Sequence, residues 1–447
     1  MKKAVNMTEG IIWKQLLLYV IPLVLGDVFQ QCYSVVDSII VGRFVSKQAL
    51  AAVSSTESII NTMIGIFTGI STGATIVIAR YYGAKDECQL KDSIHTAILL
   101  SLLLGMALTL AGICVTPTML RMLSTPEDVY PFAKSYLQIY FLGFSGLVLY
   151  NMCGGILRAV GDSKRPLDAL ILASGLNIAL DLLFVIVFHT GVAGAAIATI
   201  LSQFLSALFL LYILCLPNGI CQLEFKRLTL KRDILFQILN SGLPIGIQKS
   251  LVAFSNTLVL ANINYFGSGA MAAWGIYRKL GQTITHITQN MSLTVSTFVS
   301  QNIGAKRQDR IQRGIVTAAI ISLILTVSLD AILLLFRHPI IALFNKEPDV
   351  LAYGLMLFSV MFPWNFLMSI YNIQIGAMRG IGDSKGPMVI MLACFIVFRQ
   401  LYLNIGWQFY KSITFVASCY PFAWFCNVAL MAIYKRARHS KCALPRH

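Results

Sequence analysis

Twelve long apolar stretches divide the chain, and each is long enough to cross a membrane as a helix, which takes about 20 mostly apolar residues. The chain is 57% hydrophobic and 12% charged, about half the charged share of a soluble protein. A membrane-crossing segment must satisfy its own backbone hydrogen bonds, so an all-α polytopic membrane protein with 12 transmembrane helices is predicted. The stretches are 13–41, 50–79, 93–115, 135–157, 167–188, 193–215, 235–263, 271–300, 314–336, 352–376, 388–409 and 413–434.

The positive charge lies mainly in alternate loops between these stretches. Of the 35 Lys and Arg residues, about two thirds fall in one set of loops and the two termini, and about a fifth in the other set. This asymmetry predicts that both termini are cytoplasmic and that the chain is a multi-pass protein of the cell membrane. The net charge of +16 therefore indicates contact with lipid headgroups and not with nucleic acid. The first stretch has no small-residue cleavage site and is expected to be retained.

The second half of the chain repeats the first at a nearly constant offset. "LRAVGDSKRP" (157–166) recurs as "MRGIGDSKGP" (378–387), and "GAKD" (83–86) recurs as "GAKR" (304–307). We predict two pseudo-symmetric six-helix lobes, 1–220 and 221–447, the second with a basic linker at 222–233 and a basic C-terminal tail. Six crossings return the chain to its starting side, so the repeats are parallel, an arrangement found in secondary transporters. We expect it to act as a monomer.

Polar side chains follow helical spacing along several of the stretches and are candidates for a substrate cavity. Polar and charged groups inside a membrane are expensive and normally face protein or water. Aromatic and Met side chains on the same helices could form a permissive pocket wall. The alternative for each is an ordinary hydrogen bond or packing contact between helices. The candidates are Gln30, Tyr33, Ser34, Glu57, Asn61, Met63, Asn256, Arg278, Gln282, Gln289, Met291, Met368, Tyr371, Asn372 and Arg399.

The repeat places opposite charges at equivalent positions in the two halves. Asp27 corresponds to Lys249, and Glu57 corresponds to Arg278. One hypothesis is that these pairs form a gate that bridges the halves in one state and separates in the other. The alternative is that each charge finds a partner within its own half. Asp330 stands alone near the end of its stretch and is interpreted as an interfacial or helix-pairing residue.

Several short motifs occur together in the first half. Pro22 is followed by the aspartate of "SVVDSIIVG" (34–42), and the fifth stretch contains "NIALD" (177–181). "RAVGDSKRP" (158–166) and "GAAIATILSQ" (194–203) accompany them. Together these motifs resemble the multidrug and toxic compound extrusion (MATE) family of antiporters, and the similarity covers nearly the whole chain.

The resemblance implies export of small amphipathic, often cationic, organic compounds in exchange for H⁺ or Na⁺, with no cofactor beyond the coupling ion. It would make Asp37, Asn177, Asp181 and Thr199 the coupling-cation site. Two carboxylates, an amide and a hydroxyl supply hard oxygen donors that suit Na⁺, and a desolvated carboxylate pair can instead hold a proton. Because 240–263 and 352–376 contain no Asp or Glu, the coupling site is expected in the first half alone.

The sequence leaves one alternative function open and argues against an enzyme or a metal protein. A lipid-linked glycan flippase of the same wider superfamily remains the alternative, because Lys249, Arg278, Lys279 and Arg399 could form a cationic cavity for a pyrophosphate. An enzyme is not expected, because no HExxH, GxSxG or His/Asp cluster occurs. No metal site is expected beyond one for Na⁺, since the cysteines are scattered and mostly lie in apolar helices, where Cys acts as a small hydrophobe.

Overall fold

The computed structural model describes residues 5–122, 125–217 and 221–442, except for the side chains of residues 47, 57, 58 and 439–442. Its regular elements are helices. One π-helical segment, Leu182–Val187, follows the helix that ends at Asp181, and another, Ala393–Phe398, connects the helix that ends at Leu392 to the one that begins at Arg399. The α-helices are α1 Ile12–Phe44, α2 Lys47–Gly83, α3 Glu87–Met122, α4 Tyr130–Leu142, α5 Phe144–Ala159, α6 Lys164–Asp181, α7 Gly191–Cys215, α8 Arg232–Asn264, α9 Ser268–Gly304, α10 Gln308–Leu335, α11 Arg337–Phe344, α12 Pro348–Met361, α13 Phe366–Ile381, α14 Lys385–Leu392, α15 Arg399–Gly406 and α16 Ile413–Cys442.

The helices coincide with the twelve predicted stretches, so the all-helical membrane fold is confirmed. Within the described residues, nine helices are long and apolar enough to span a membrane, and two bent helix pairs raise the number to 11. The remaining predicted stretch, 271–300, forms α9, which is 37 residues long. Its row of amide and hydroxyl side chains makes α9 less apolar than the other spans, which is a property of a helix that borders a cavity.

Two of the predicted stretches are broken helices, which the hydropathy pattern does not reveal. α4 and α5 meet at Gly143 with a bend of 48°, and α12 and α13 meet with a bend of 43°. Gly143 packs so closely against Ile200 that a Cβ atom there would overlap it. In the second break, Pro363 lies in the short 3₁₀ turn Phe362–Trp364, where it cannot donate a helical hydrogen bond.

The buried apolar side chains form separate cores in the two halves. One cluster runs from Val259 to Met431 and lies wholly in the second half. Another runs from Ile40 to Ala196 and lies wholly in the first half. A third joins the halves, because Leu16, Tyr19 and Val20 of α1 pack against α9, α10 and α13. The predicted lobe boundary at residue 220 lies outside the described residues.

The backbones of α2 and α8, one from each half, approach each other closely. Gly69 faces Gly246 so closely that a Cβ atom on Gly69 would overlap the Gly246 nitrogen. A Cβ atom on Gly73 would come within 2.6 Å of Gly242. Small residues spaced four apart allow membrane helices to approach in this way. The contact lies in the part of both helices toward the Lys- and Arg-rich loops, so the halves are packed together at that end.

Candidate functional site

The two acids expected to bind the coupling cation are buried on neighbouring helices of the first half. Asp37 lies in α1 and is 8% exposed, whereas Asp181, the last residue of α6, is fully buried. α1 and α6 pack against each other, and the charge of Asp37 acts unfavourably on Asp181. The ion pairs of the described residues include neither acid.

The amide and the hydroxyl predicted beside these acids are also buried. Asn177 lies one helical turn before Asp181, and its Nδ2 is 3.5 Å from Thr199 Oγ1 on α7. Thr199 Oγ1 in turn donates to the carbonyl oxygen of Ala195, at 3.0 Å. The contact with Thr199 occupies the nitrogen end of the amide and leaves the oxygen end of Asn177 for another partner.

Four oxygens of this cluster are buried without a described hydrogen-bond partner: one from Asp37, one from Asn177 and both from Asp181. Buried polar atoms are nearly always paired, and leaving one unpaired costs roughly 2–7 kcal/mol in an apolar environment. Carboxylate and amide oxygens are the donors that small hard cations prefer. The residues present therefore fit Na⁺, and the two close carboxylates also fit a shared proton.

Two tyrosines and a π-helical segment complete the surroundings of the acids. Both carboxylates act electrostatically on Tyr33 and Tyr136, and Tyr33 also has a side-chain hydrogen bond with Gln203. The segment that follows Asp181 is π-helical, and such turns occur frequently at functional sites. Tyr33 is predicted as a residue of the substrate cavity. Tyr136 is not predicted as a site residue, because it lies in an apolar stretch with no polar periodicity around it.

The second half contains a cavity of about 490 Å³. It lies among α8, α9, α13, α16 and the π-helical segment before α15. Eight of the predicted cavity residues line it, together with Lys249 from the predicted gate. The eight are Asn256, Arg278, Gln282, Gln289, Met368, Tyr371, Asn372 and Arg399.

Arg399 is the most deeply placed charge of this cavity. It is fully buried, and its terminal nitrogens donate to Asn256 Oδ1 at 2.9 Å and to Ser255 Oγ at 2.6 Å. Its guanidinium carbon lies 4.9 Å from the centre of the Tyr420 ring, a cation–π distance. Its Nε is buried without a described partner.

Asp330 agrees with its sequence-based interpretation, whereas Arg379 does not. Asp330 is buried and accepts a hydrogen bond from Asn365 Nδ2 at 2.9 Å, which joins α10 to the start of α13 as a helix-pairing residue would. Arg379 was assigned to a loop, but it lies in α13, lines the cavity and donates to Gln248 Oε1 at 3.0 Å. Because Arg379 lies just beyond the apolar stretch 352–376, the sequence does not indicate that it lines a cavity.

The remaining predicted cavity residues do not line this cavity. Met291 is fully buried in the core that joins the halves, so its assignment to the cavity is corrected. Met63 packs against the first-half core. Gln30, Ser34 and Asn61 are exposed on α1 and α2. The side chain of Glu57 lies outside the described part of the chain, so its pairing with Arg278 stays a prediction.

Asp27 and Lys249 do not form an ion pair in this conformation, although each bonds across the two halves. Asp27 Oδ2 on α1 accepts from Asn290 Nδ2 on α9 at 2.6 Å and lies 3.3 Å from His286 Nδ1. Lys249 Nζ on α8 is 3.4 Å from Thr68 Oγ1 on α2. In this conformation the contacts described for both side chains reach the other half, and the pairing of Asp27 with Lys249 stays a prediction.

Known proteins with similar sequences and structures identify the family. The MatE family model matches residues 22–183 and 244–402, one segment in each half. The probable multidrug resistance protein YoeA of Bacillus subtilis (strain 168) is 32% identical over 394 residues, 85% of this chain and 84% of that protein. YpnP of the same organism, also a probable multidrug resistance protein, is 30% identical over 400 residues, 89% of each. An outward-facing multidrug resistance MATE transporter of the MOP superfamily shares the fold, with a TM-score of 0.89, 99% coverage of both chains and 21% identity. The chain therefore belongs to the MatE family, the multidrug and toxic compound extrusion family that its motifs resemble.

Proposed function

We propose that the protein is an antiporter in which Na⁺ or H⁺ binds at Asp37 and Asp181 and drives the export of amphipathic organic compounds. The observation that carries this proposal is the cluster of unpaired, buried oxygens on Asp37, Asn177 and Asp181. Buried oxygen donors gathered from two helices are the expected form of a site that binds and releases a cation in each cycle.

Cation binding would act on the conformation through charge. Two buried carboxylates without counter-charges are unfavourable, and one bound cation or proton removes much of that cost. A ligand shifts a conformational equilibrium only by the difference between its affinities for the two states. Coupling therefore requires that α1, which carries Asp37, sits differently against α6 in the two conformations. Pro22, inside α1, removes one helical hydrogen bond and permits a bend.

The conformation itself supports alternating access. Most of the described hydrogen bonds between the halves lie toward the Lys- and Arg-rich loops, for example between Gln301 Nε2 and the carbonyl oxygen of Ala159 at 2.7 Å. The positive-inside asymmetry puts that end, with both termini, in the cytoplasm. Packing of the halves at that end would close the protein to the cytoplasm, the state from which a substrate would leave and a cation would enter.

The remaining parts of the proposal follow from the family resemblance and the composition. The protein works as a monomer in the cell membrane, without a cofactor, and carries out no covalent chemistry. Its substrates are small organic molecules, with organic cations as the first class to examine because the acids of the first half attract them. The relatives' names support small organic substrates without specifying their charge, since YoeA and YpnP are probable multidrug resistance proteins.

The proposal is tested by transport in proteoliposomes with a fluorescent organic cation, under a pH gradient or a Na⁺ gradient imposed separately. One of the two gradients should drive uptake against the dye gradient, and Asp37→Asn should abolish that response while the protein still folds. Asp128→Asn removes the same charge from an exposed loop and should transport normally. A response to neither gradient, or full coupling in Asp37→Asn, would refute the proposal.

A lipid-linked glycan flippase is the second candidate, and one observation favours it. The cavity of the second half is lined by Lys249, Arg278, Arg379 and Arg399, which could hold a pyrophosphate headgroup. The discriminating measurement is the movement of a fluorescent lipid-linked diphosphate between leaflets in the same proteoliposomes. Movement of this lipid without gradient-driven dye transport would favour the flippase.

A further inference from the structure

The cavity of the second half has an unusual charge composition. Four cationic side chains line it, Lys249, Arg278, Arg379 and Arg399, and none of its lining residues is Asp or Glu. The described ion pairs involve none of these four cations. The charge of Arg379 acts unfavourably on Lys249, so the cations lie within range of one another. A cavity of this kind attracts negative charge and repels positive charge.

The carboxylates behind the wall are already engaged. Asp27 acts on Lys249 from a distance, but it is bonded to Asn290 and lies against His286. Asp330 accepts from Asn365. Both amides line the cavity, so each separates its carboxylate from the cavity space. Neither acid forms an ion pair with the four cations.

Arg399 is held rigidly enough to act as an anchor. Its two terminal nitrogens are bonded to Asn256 and Ser255, and Ser255 Oγ also lies 2.6 Å from the carbonyl oxygen of Phe395. The ring of Tyr420 fixes the guanidinium from another side. A buried guanidinium whose neighbours are neutral retains its full charge for an incoming anion. The Nε atoms of Arg399 and Arg379 are buried and have no described partner, so neither charge is neutralised by a described acid.

The rest of the wall suits an apolar body. Six aromatic side chains line the cavity: Trp274, Tyr277, Tyr371, Phe395, Tyr420 and Trp424. Most of them are buried in the second-half core. Aromatic walls combined with a few fixed polar groups are typical of sites for small organic ligands. The volume of about 490 Å³ is in the range for such ligands.

We propose that this cavity binds the anionic group of an amphipathic ligand, a carboxylate, sulfonate or phosphate, with Arg399 as its anchor and the aromatic wall around its apolar part. This rests on the proposed transport function and deepens it, because it adds amphipathic anions to the substrates. The anionic group can belong to a soluble organic molecule or to a lipid headgroup. The acids of the first half and the cations of the second half would then serve ligands of opposite charge.

The test is a binding measurement that requires no transport. Calorimetry compares naphthalene-2-sulfonate with the neutral naphthalene-2-sulfonamide, with the whole protein in phosphatidylcholine nanodiscs. The sulfonate should bind at least about tenfold more tightly, since charge-assisted hydrogen bonds are roughly twice as strong as neutral ones. Equal affinity for the two probes would overturn the proposal.

Three variants assign the binding to the cavity. Arg399→Gln should weaken sulfonate binding by about tenfold or more, and Arg278→Gln, whose side chain is exposed, by about threefold. Neither should change sulfonamide binding. Arg313→Gln removes the same charge from an exposed position on α10 and should change nothing. If Arg399→Gln fails to fold, sulfonate binding by Arg278→Gln tests the proposal instead. Unchanged sulfonate binding in the cavity variants that fold would overturn the proposal.

Two further arms distinguish the source of the anion and separate this proposal from the transport proposal. Phosphatidylglycerol in the nanodisc should block sulfonate binding if the cavity takes lipid headgroups, and should leave it intact if the cavity takes soluble anions. Either result upholds an anion site. Gradient-driven dye transport without sulfonate binding would refute only the anion site, whereas sulfonate binding without gradient-driven transport would refute only the antiport.

Discussion

Asp27 and Asn290 join the two halves of the protein through a hydrogen bond of 2.6 Å from the Asn290 amide to the Asp27 carboxylate. The bond links α1 to α9, close to the buried core that the two helices share. His286, one helical turn before Asn290, lies 3.3 Å from the same carboxylate oxygen. One acid on α1 thus holds two polar groups of α9, and this contact must break when the halves separate at this end.

Replacement of Asp27 should weaken the contact between the halves at the closed end. In Asp27→Leu, Asn290 and His286 lose their partner, and because both are only half-buried the cost is nearer ~1 kcal/mol than the full penalty of a buried donor. We expect the rate of transport to fall at least about tenfold, because the closed-inside state loses stability. Hydrogen exchange should rise at least about tenfold in α1 and α9 near residues 19–31 and 286–297. Asp309→Leu removes an exposed acid and should alter neither the transport rate nor the hydrogen exchange. Unchanged exchange in Asp27→Leu would show that the Asp27–Asn290 bond does not stabilise the closed conformation.

The equivalent positions of Asp27 and Lys249 predict a second role for the same acid. Their charges act on each other but form no ion pair here, so a direct pair belongs to the other conformation. Each single reversal, Asp27→Lys or Lys249→Asp, should reduce transport at least about tenfold by placing like charges together. The double reversal should transport better than either single variant, although it still lacks the carboxylate that contacts Asn290 and His286. Recovery is measured by dye efflux, and a double variant as inactive as the single ones would exclude the pair.

Asp181 offers a stability measurement that is independent of transport. Both of its oxygens are buried without a described partner, and the nearby Asp37 adds repulsion. An amide avoids the cost of a buried, unpaired charge, so Asp181→Asn should raise the melting temperature by about 1 °C for each ~1 kcal/mol gained in a chain of this length. It should also abolish gradient-driven transport. Asp128→Asn, on the surface, is the matched control. A lower melting temperature together with intact coupling would remove Asp181 from the cation site.

The sequence predicts the spans well because each depends only on its own residues. A run such as 93–115 is apolar whatever it packs against, and α3 forms there. The acids Asp37 and Asp181 were found through the family resemblance, and the structure places them on helices that pack together. The breaks at Gly143 and Pro363 were missed because hydropathy averages over a window and does not register one distorted turn.

The contacts between distant helices could not be read from the sequence. The partner of Asp27 depends on how α1 docks on α9, and symmetry between the halves suggested Lys249 instead of Asn290. Arg379 was taken for a loop residue because α13 extends beyond its apolar stretch. For the same reason, the sequence predicts only part of the positive charge of the cavity, since Arg379 is not among the predicted cavity residues.

The glycine contact between α2 and α8 gives the most direct control over conformation. Gly69 and Gly73 oppose Gly246 and Gly242 without room for a Cβ atom, so the closed end depends on four residues without side chains. Gly69→Val should force α2 and α8 apart, reduce transport at least about tenfold and raise hydrogen exchange in residues 238–246, since overpacking costs about 1–3 kcal/mol. Gly175→Val makes the same change in α6 at a site with open space around it, and it should retain transport. If both valine variants behave alike, the effect is one of helix propensity, and the close approach of the two helices is not needed for the cycle.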